Sequence, residues 1–317
     1  IRAQSGGEVM GVRVIAPGPL PTVQDLGRWG HQAWGIPVSG AMDTWSHRVA
    51  NHLVGNLPEA ATLEVTLAGP KLEFSEDATV AVVGARFWLE IDGRTAPSGC
   101  TFSLSAGGRL SFGLRTAGAR AYLAVAGGFE LPMVFGSRST DLVSRFGGLD
   151  GRPLRAEDCL DVGDPHGGAR PGKKLRPPFP LPRGGAVLRV LVRDDGGGRP
   201  ELLFGPRFRL GPTSNRMGYR LSGPSVSPGR AASVVSAATP VGTIQVPPSG
   251  EPILLMADRQ TTGGYRAPAT VISADVGVAA QLAPGDWVEF RPCSYSSAHA
   301  ALASREDALR SQAGGMA

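Results

Sequence analysis

The chain has 317 residues, with 45 glycines, 27 prolines, 42% hydrophobic residues and a formal net charge of +5. That length suggests about two domains, and so much glycine and proline beside an ordinary apolar fraction excludes a long-helix or disordered protein in favour of many short strands and turns. Lys71, Lys173 and Lys174 are the only lysines, and the arginines are scattered without interleaved aromatics, which argues against a track for nucleic acid.

Residues 1–11 read as a flexible lead-in to an N-terminal β-rich lobe over 12–163. A strand at Val12 to Ala16 gives way to the irregular Pro17-Gly18-Pro19-Leu20. Next comes a long polar loop, from Thr22-Val23-Gln24-Asp25-Leu26-Gly27-Arg28 through Gly35-Ile36-Pro37 to Val38-Ser39-Gly40-Ala41-Met42-Asp43. Its length invites a binding role. From Asp43 the pattern turns helical, with Trp45, Val49, Leu53 and Val54 on one face and a stop at Gly55-Asn56. Asp43 therefore reads equally as a helix N-cap. His47 and His52 are five apart, not on one helix face, and do not form a zinc pair.

A meander follows, with strands expected at Thr62 to Leu67, Lys71 to Phe74, Ala78 to Gly84, Phe87 to Ile91, Arg109 to Phe112 and Arg120 to Ala126. It ends in a second polar loop, Gly136-Ser137-Arg138-Ser139-Thr140-Asp141. Residues 164–185, rich in proline, glycine and basic side chains, read as a linker. Within them Gly167 to Lys174 mimics a phosphate-binding loop, but Lys174 stands where a hydroxyl should, and Pro171 and Pro177-Pro178 exclude the helix that such a loop requires.

The second lobe is assigned to 186–293, with strands near Ala186 to Val192 and Glu201 to Phe204. It carries a third polar motif at Ser214-Asn215-Arg216-Met217-Gly218, and alternation in Gly242-Thr243-Ile244-Gln245-Val246 projects Thr243 and Gln245 from a strand. For Gln245 a cross-strand hydrogen bond and a ligand contact both remain open. The short apolar run Pro252 to Ala257 reads as a buried strand whose end delivers Asp258-Arg259-Gln260-Thr261-Thr262, and Gly263-Gly264 permits a close approach of backbone or ligand. An internally bonded turn is the alternative for that cluster. The loops at 136–141 and 258–261 resemble each other, as do the segments before Cys159 and before Trp287, hinting at two related lobes. Residues 294–317 form a helix and tail, with the helix over Ser297 to Arg310.

Cys100, Cys159 and Cys293 are odd in number and far apart, which argues against a disulfide framework or a zinc site and for a reducing compartment. No apolar run is long enough to span a bilayer, and Ile1 to Gly11 lacks the apolar core of a secretion signal, so a cytoplasmic, soluble protein is expected. The fold class is mainly β with few helices.

The ordered motifs Thr22 to Arg28, Val38 to Asp43, Leu63-Glu64 with Gly69-Pro70, Gly136 to Thr140, Ser214 to Gly218, Gly242 to Pro247 and Ala257 to Asp275 resemble those of the KipA-like family. Its members are also called C-type subunits of 5-oxoprolinase, allophanate hydrolase subunit 2, or biotin-dependent carboxyltransferase-type proteins. The resemblance covers about residues 12 to 292. It implies a cyclophilin-like β-barrel architecture and a hetero-oligomer with the KipI-like B-type subunit of 5-oxoprolinase and with its A-type subunit. The sequence departs from the family at Ser236-Ala237-Ala238-Thr239-Pro240, which lacks an acidic residue, at Arg266-Ala267, where Pro-Lys is usual, and at Arg193 to Arg199.

The activity implied is ATP-dependent opening of 5-oxoproline to glutamate, through phosphorylation of the lactam carbonyl oxygen, by a complex that uses ATP and Mg²⁺. The resemblance also implies two alternatives: a carboxyltransferase component that passes carboxyl from carboxybiotin to urea, and a non-catalytic antagonist that sequesters the KipI-like partner. No biotin-carrier Ala-Met-Lys-Met segment is present, so a carboxyltransferase would need a separate carrier. Lactam activation asks for cations on phosphate or carboxylate, which the sequence offers as Arg138, Arg216 and Arg259, with Arg28 nearby. Asp25, Asp43 and Asp258 are candidate orienting or metal-holding carboxylates. Asn215, Arg216, Gln245, Gln260, Thr261, Thr262, Ser139, Asp25 and Arg28 are candidate substrate contacts, and Asp258, Arg259, Asp43 and Arg138 are the expected catalytic set.

Overall fold

Period-2 burial builds the first half of the molecule. Val12 and Val14 turn inward from one strand, and Leu72 and Phe74 from its neighbour, while the residues between them stay at least partly exposed. The computed structural model of the chain describes residues 11–165, 171–175, 180–193, 200–226 and 235–313. The lead-in up to residue 10, positions 167–170 of the phosphate-loop look-alike, positions 166 and 176–179 of the linker and most of the Arg193 to Arg199 departure lie outside the described residues.

In chain order the first elements are β1 (Gly11–Ala16), β2 (Thr22–Gln24), α1 (Thr44–Leu53), β3 (Thr62–Thr66), β4 (Lys71–Phe74) and β5 (Ala78–Ile91). They continue as β6 (Arg94–Ala96), β7 (Thr101–Leu104), β8 (Arg109–Val125), β9 (Phe129–Glu130) and β10 (Cys159–Val162). All ten strands form one antiparallel sheet of order β2-β3-β8-β4-β1-β10-β9, with β5 on β8 and β6 and β7 on β5. The apolar run that opens β5 is buried on both faces. Val80 and Val82 enter the sheet core with Leu63, Leu72 and Leu123, whereas Ala81 and Val83 meet Trp45, Val49 and Leu53 of α1. Each such large side chain contributes roughly 1.5–3 kcal/mol by leaving water, which fixes α1 to the sheet.

The second half comprises β11 (Gly185–Val192), β12 (Arg207–Leu210), β13 (Gly218–Ser222), β14 (Ala237–Ala238), β15 (Thr243–Val246) and β16 (Ile253–Leu255). After them come β17 (Thr262–Gly263), β18 (Arg266–Val271), α2 (Ser273–Ala280), β19 (Trp287–Pro292) and α3 (Tyr295–Ala313). Seven of these strands close a barrel in the order β11-β18-β15-β16-β13-β12-β19, which leaves no free edge. Leu188, Phe208, Tyr219, Ile244, Leu254, Val288 and Phe290 fill it. The chain is thus mainly β, with three α-helices among the described residues and a closed seven-stranded barrel, in keeping with the β-barrel architecture that the resemblance implies. Helix α3 straps the halves together: Glu306 takes both guanidinium nitrogens of Arg48 on α1, at 2.7 and 2.9 Å, and Arg305 donates to the Ala274 carbonyl on α2. No helix among the described residues is long and apolar enough to cross a membrane.

Several expected boundaries dissolve. The pairs of strands read on either side of Gly84 and of the Gly113 to Gly118 stretch are single long strands, β5 and β8, whose register slips at bulges near Gly84 (φ +105°) and Arg86. The strand expected at Glu201 to Phe204 is a 3-10 turn, Pro200–Leu203, begun by a proline that has no N–H to give a ladder. The sequence reading missed α2. Its N-cap is Ile272, which offers no side-chain acceptor, so no capping signal marks its start.

His47 on α1 is fully buried, with Nδ1 2.8 Å from the Thr62 hydroxyl and Nε2 3.0 Å from the Pro58 carbonyl. Burial pushes its pKa down to about 4. The unfolded chain therefore takes up a proton below about pH 6.5 that the folded chain refuses, and stability present above that pH is lost as pH falls towards 4. The loss amounts to about 3 kcal/mol over that window. Urea unfolding at pH 7 and pH 4.5 should show the parent protein losing about 2–3 kcal/mol more than His47→Gln; equal losses in the two proteins would refute the assignment.

Candidate functional site

The two halves meet through buried charge. Arg216, in the turn before β13, is 3% exposed and gives Nε and Nη2 to the two oxygens of Asp258, each at 2.9 Å. It gives Nη1 to Glu64 on β3 and Nη2 to the Gly40 carbonyl at 2.6 Å, so one guanidinium spans both lobes. Glu64 also accepts from Met42 N and the Tyr122 hydroxyl, at 2.9 and 2.7 Å. Burial opposes its ionisation, but the charges of Arg216 and Arg120 prevail and hold its carboxyl below the usual range. Arg216 in turn is held charged, its pKa raised by Asp258 and Glu64 against the effect of burial. Arg120 crosses the seam the other way, donating to the Tyr219 hydroxyl and the Ala280 carbonyl at 2.6 Å each. Gln281 completes the join, giving Nε2 to Asp43 and to the Arg120 carbonyl at 2.9 Å and accepting from Ala119 N and Arg120 N.

Asp43 is the N-cap of α1, accepting from Ser46 N at 3.1 Å and Ser46 Oγ at 2.6 Å. Asp25 is the hub of a second set. Its oxygens receive Gly27 N, Ser137 Oγ, Ser139 Oγ and Arg138 N at 2.5–2.7 Å, which ties the loop after β2 to the loop at 136–139. Arg28 lies buried beside this hub, bonded to the Ser139 carbonyl and over the Phe146 ring at 4.7 Å. Arg138 gives Nε to the Leu131 carbonyl and Nη2 to Glu130, and lines a cavity of about 290 Å³ with Asp25, Leu57 and Met133. Asn215 accepts from Met217 N at 2.9 Å and so shapes the turn that presents Arg216.

A different cavity, of about 260 Å³, opens between the lobes. Its walls are Trp29, Gln32 and Val38 from the long loop, Ala238, Thr239 and Pro240 from the stretch that departs from the family pattern, and Arg259, Gln260 and Thr261. The long loop reaches it because Gly27 (φ +84°) and Gly40 (φ +86°) pack back to back; a Cβ on Gly40 would stand 2.8 Å from Gly27 N. Arg28 N to Val38 O at 2.8 Å closes the same neck.

Arg259 is the charge of this cavity. It is 7% exposed, and its bonds go to backbone carbonyls alone: Nε to Thr239 at 2.6 Å, Nη1 to Met256 and Ala257 at 3.4 Å. Among the described residues no carboxylate pairs with it. Burial accordingly pushes its pKa down to about 10, with Asp258 opposing in part. Gln245, 2% exposed on β15, stands behind Gln260 and accepts its Nε2 at 3.3 Å, while Thr262 on β17 pairs with Ala238.

The expected residues therefore divide. Arg259, Gln260 and Thr261 share the interlobe cavity, with Gln245 behind them; Arg216, Asp258 and Asp43 belong to the seam; Asp25, Arg28, Ser139 and Arg138 belong to the loop hub. The carboxylates Asp25, Asp43 and Asp258 are filled by donors of this chain and do not converge, and among the described residues no group of three His, Cys, Asp or Glu is placed to hold a metal ion. This donor set does not fit Mg²⁺ with ATP on the described part of the chain. The sequence reading missed Tyr122, Arg120, Tyr219 and Gln281, and quoted Glu64 without a role. Trp29, Gln32 and Thr239 were missed as cavity walls. Only the glycine-studded length of the loop signalled the first two.

A family model described as carboxyltransferase domain, subdomain A and B, matches residues 34–292. The C-type subunit of 5-oxoprolinase from Haemophilus influenzae is 37% identical over 87% of this chain and 89% of that protein. Its counterpart in Escherichia coli is 36% identical over 94% of this chain and 96% of that protein. The crystal structure of the K. lactis urea amidolyase superposes with a TM-score of 0.89 at 28% identity, covering 97% of this chain but only 20% of that enzyme.

If Arg216 is the tie between the lobes, Arg216→Met strands Glu64 and Asp258 as buried charges and should lower the unfolding free energy in urea by about 3–5 kcal/mol. Asn215→Ala, at an exposed turn, should lose under about 1 kcal/mol. A loss that small for Arg216→Met would show that the tie contributes little.

Proposed function

Because the chain belongs to the carboxyltransferase-domain family, subdomains A and B, we propose that it is the C-type subunit of a cytoplasmic ATP-dependent 5-oxoprolinase, active as a hetero-oligomer with the KipI-like B-type and the A-type subunits. In that complex it holds 5-oxoproline. ATP and Mg²⁺, which the donor set here does not suit, act on the companion chains.

One observation carries the reading. Arg259 is a buried cation with only carbonyl partners, in an interlobe cavity of about 260 Å³. A buried charge without a counter-charge is unfavourable until an anion arrives, and the planar guanidinium suits a carboxylate. The carboxylate of 5-oxoproline supplies that anion, and the amides and hydroxyls of Gln260, Thr239 and Thr261 offer partners for a lactam. Two relatives named as C-type subunits of 5-oxoprolinase support the choice of substrate.

A second reading draws on the likeness to the urea amidolyase structure. There the same guanidinium would hold the carboxyl group of carboxybiotin brought by a separate carrier protein.

The purified chain mixed with its B-type and A-type companions, given 5-oxoproline, ATP and Mg²⁺, should form glutamate only when this chain is present. Arg259→Met should then lower kcat/KM by about a hundredfold or more, the loss expected for a desolvated charged contact. Glutamate formed equally without the chain, or with Arg259→Met, would overturn the proposal. Carboxylation of urea with a biotin carrier, and no glutamate, would establish the second reading.

A further inference from the structure

Beside Arg259 the cavity wall is an amide whose orientation is set from behind. Gln260 is exposed to the cavity, and its Nε2 donates to Oε1 of Gln245 at 3.3 Å. Gln245 does not reach the cavity. It is 2% exposed on β15, where backbone pairing with Ile253 on β16 fixes its position. The space for this pair is provided by Gly263: a Cβ there would stand 2.4 Å from Nε2 of Gln245 and 3.4 Å from Nε2 of Gln260. Glycine is needed here for room.

With its nitrogen drawn towards Gln245, the Gln260 amide keeps its oxygen, Oε1, as an acceptor. We propose that Gln245 is a positioning residue that orients Gln260 to accept the ring N–H of a cyclic amide whose carboxylate rests on Arg259. This rests on the lactam reading above and adds the determinant of its selectivity. In 5-oxoproline the ring N–H adjoins the carbon that bears the carboxylate. The two groups thus fall together, as do their recognisers, Arg259 and Gln260, at consecutive positions of one loop.

The selectivity that follows is for a lactam over the lactone of the same ring and carboxylate. The lactone puts an oxygen where the N–H should be, so two acceptors face each other and a polar group of the site goes unpaired. Arg259 serves both ligands equally.

The test is calorimetric binding of 5-oxoproline and of 5-oxotetrahydrofuran-2-carboxylate to the assembled complex. The parent protein should favour the lactam by about a hundredfold. Gln245→Met, which removes the acceptor and keeps the bulk, should cut that preference to about tenfold or less, and far-UV circular dichroism matching the parent reports that the variant is folded. Gln245→Glu, which keeps an acceptor for Gln260, should retain the preference. A parent-like preference in Gln245→Met, or an equal loss in both variants, overturns the positioning role while leaving the lactam reading in place. Binding of both ligands that survives Arg259→Met overturns the lactam reading, and the positioning role with it.

Discussion

The structure depends on one cation buried where two lobes meet. Arg216 gives two donors to Asp258 in its own half and two more to Glu64 and the Gly40 carbonyl in the other, with almost none of it exposed to water. An exposed ion pair would contribute little. Here every group is dry, so breaking one contact leaves charge stranded, and the arrangement tolerates one relative placement of the sheet and the barrel. Arg120 reinforces that placement from the opposite side through the Tyr219 hydroxyl and the Ala280 carbonyl, Gln281 does so through the Asp43 carboxylate, and α3 straps it from outside through Arg48 and Glu306.

What the tie positions is the segment from Asp25 to Asp43. It leaves the Asp25 hub, pinches at Gly27 and Gly40, presents Trp29, Gln32 and Val38 to the interlobe cavity, gives the Gly40 carbonyl to Arg216, and ends by capping α1. A loop this long, with only the 3-10 turn Gln32–Trp34 as regular structure, is held only if its polar groups find partners. These do so at both ends, and the middle is left to line the cavity. The same accounting explains why so many polar residues of this stretch are structural. Asp25 serves Ser137, Arg138 and Ser139, and Asp43 serves Ser46 and Gln281, so neither carboxylate is left for a metal ion.

The sequence made the strands of the first sheet, the α1 pattern and the polar clusters legible, because each is a local signal: alternation, a 3.6-residue period, or several polar groups in a row. It misled wherever glycine permits two outcomes. Gly84 reads as the end of a strand and is a bulge within β5, since a bend with positive φ keeps the ladder going on either side. The site was legible only as a set of residue types. Arg216 and Arg259 look alike in sequence, each in a turn among amides and hydroxyls, and what separates them is a residue 152 positions away from Arg216, namely Glu64. On β3 Glu64 alternates with Leu63 and Val65 and is buried like them, and its charged partner Arg216 lies in the other lobe. Long-range pairing of this kind leaves no local pattern.

The seam and the cavity are two consequences of one pairing. Asp258 and Arg259 are neighbours in sequence, and an acid beside a guanidinium ordinarily neutralises it. Arg216 prevents this by taking both oxygens of Asp258, in a two-pronged geometry that leaves its neighbour with carbonyl oxygens alone. The residual attraction of Asp258 offsets only part of the burial that lowers the pKa of Arg259 to about 10. The charge that holds the lobes together therefore also strips the cavity arginine of a counter-ion, and leaves it to be completed by an anion from outside. Structural and ligand-directed charge are thereby separated at adjacent positions of one loop, and neither role is available until the two halves have closed on each other.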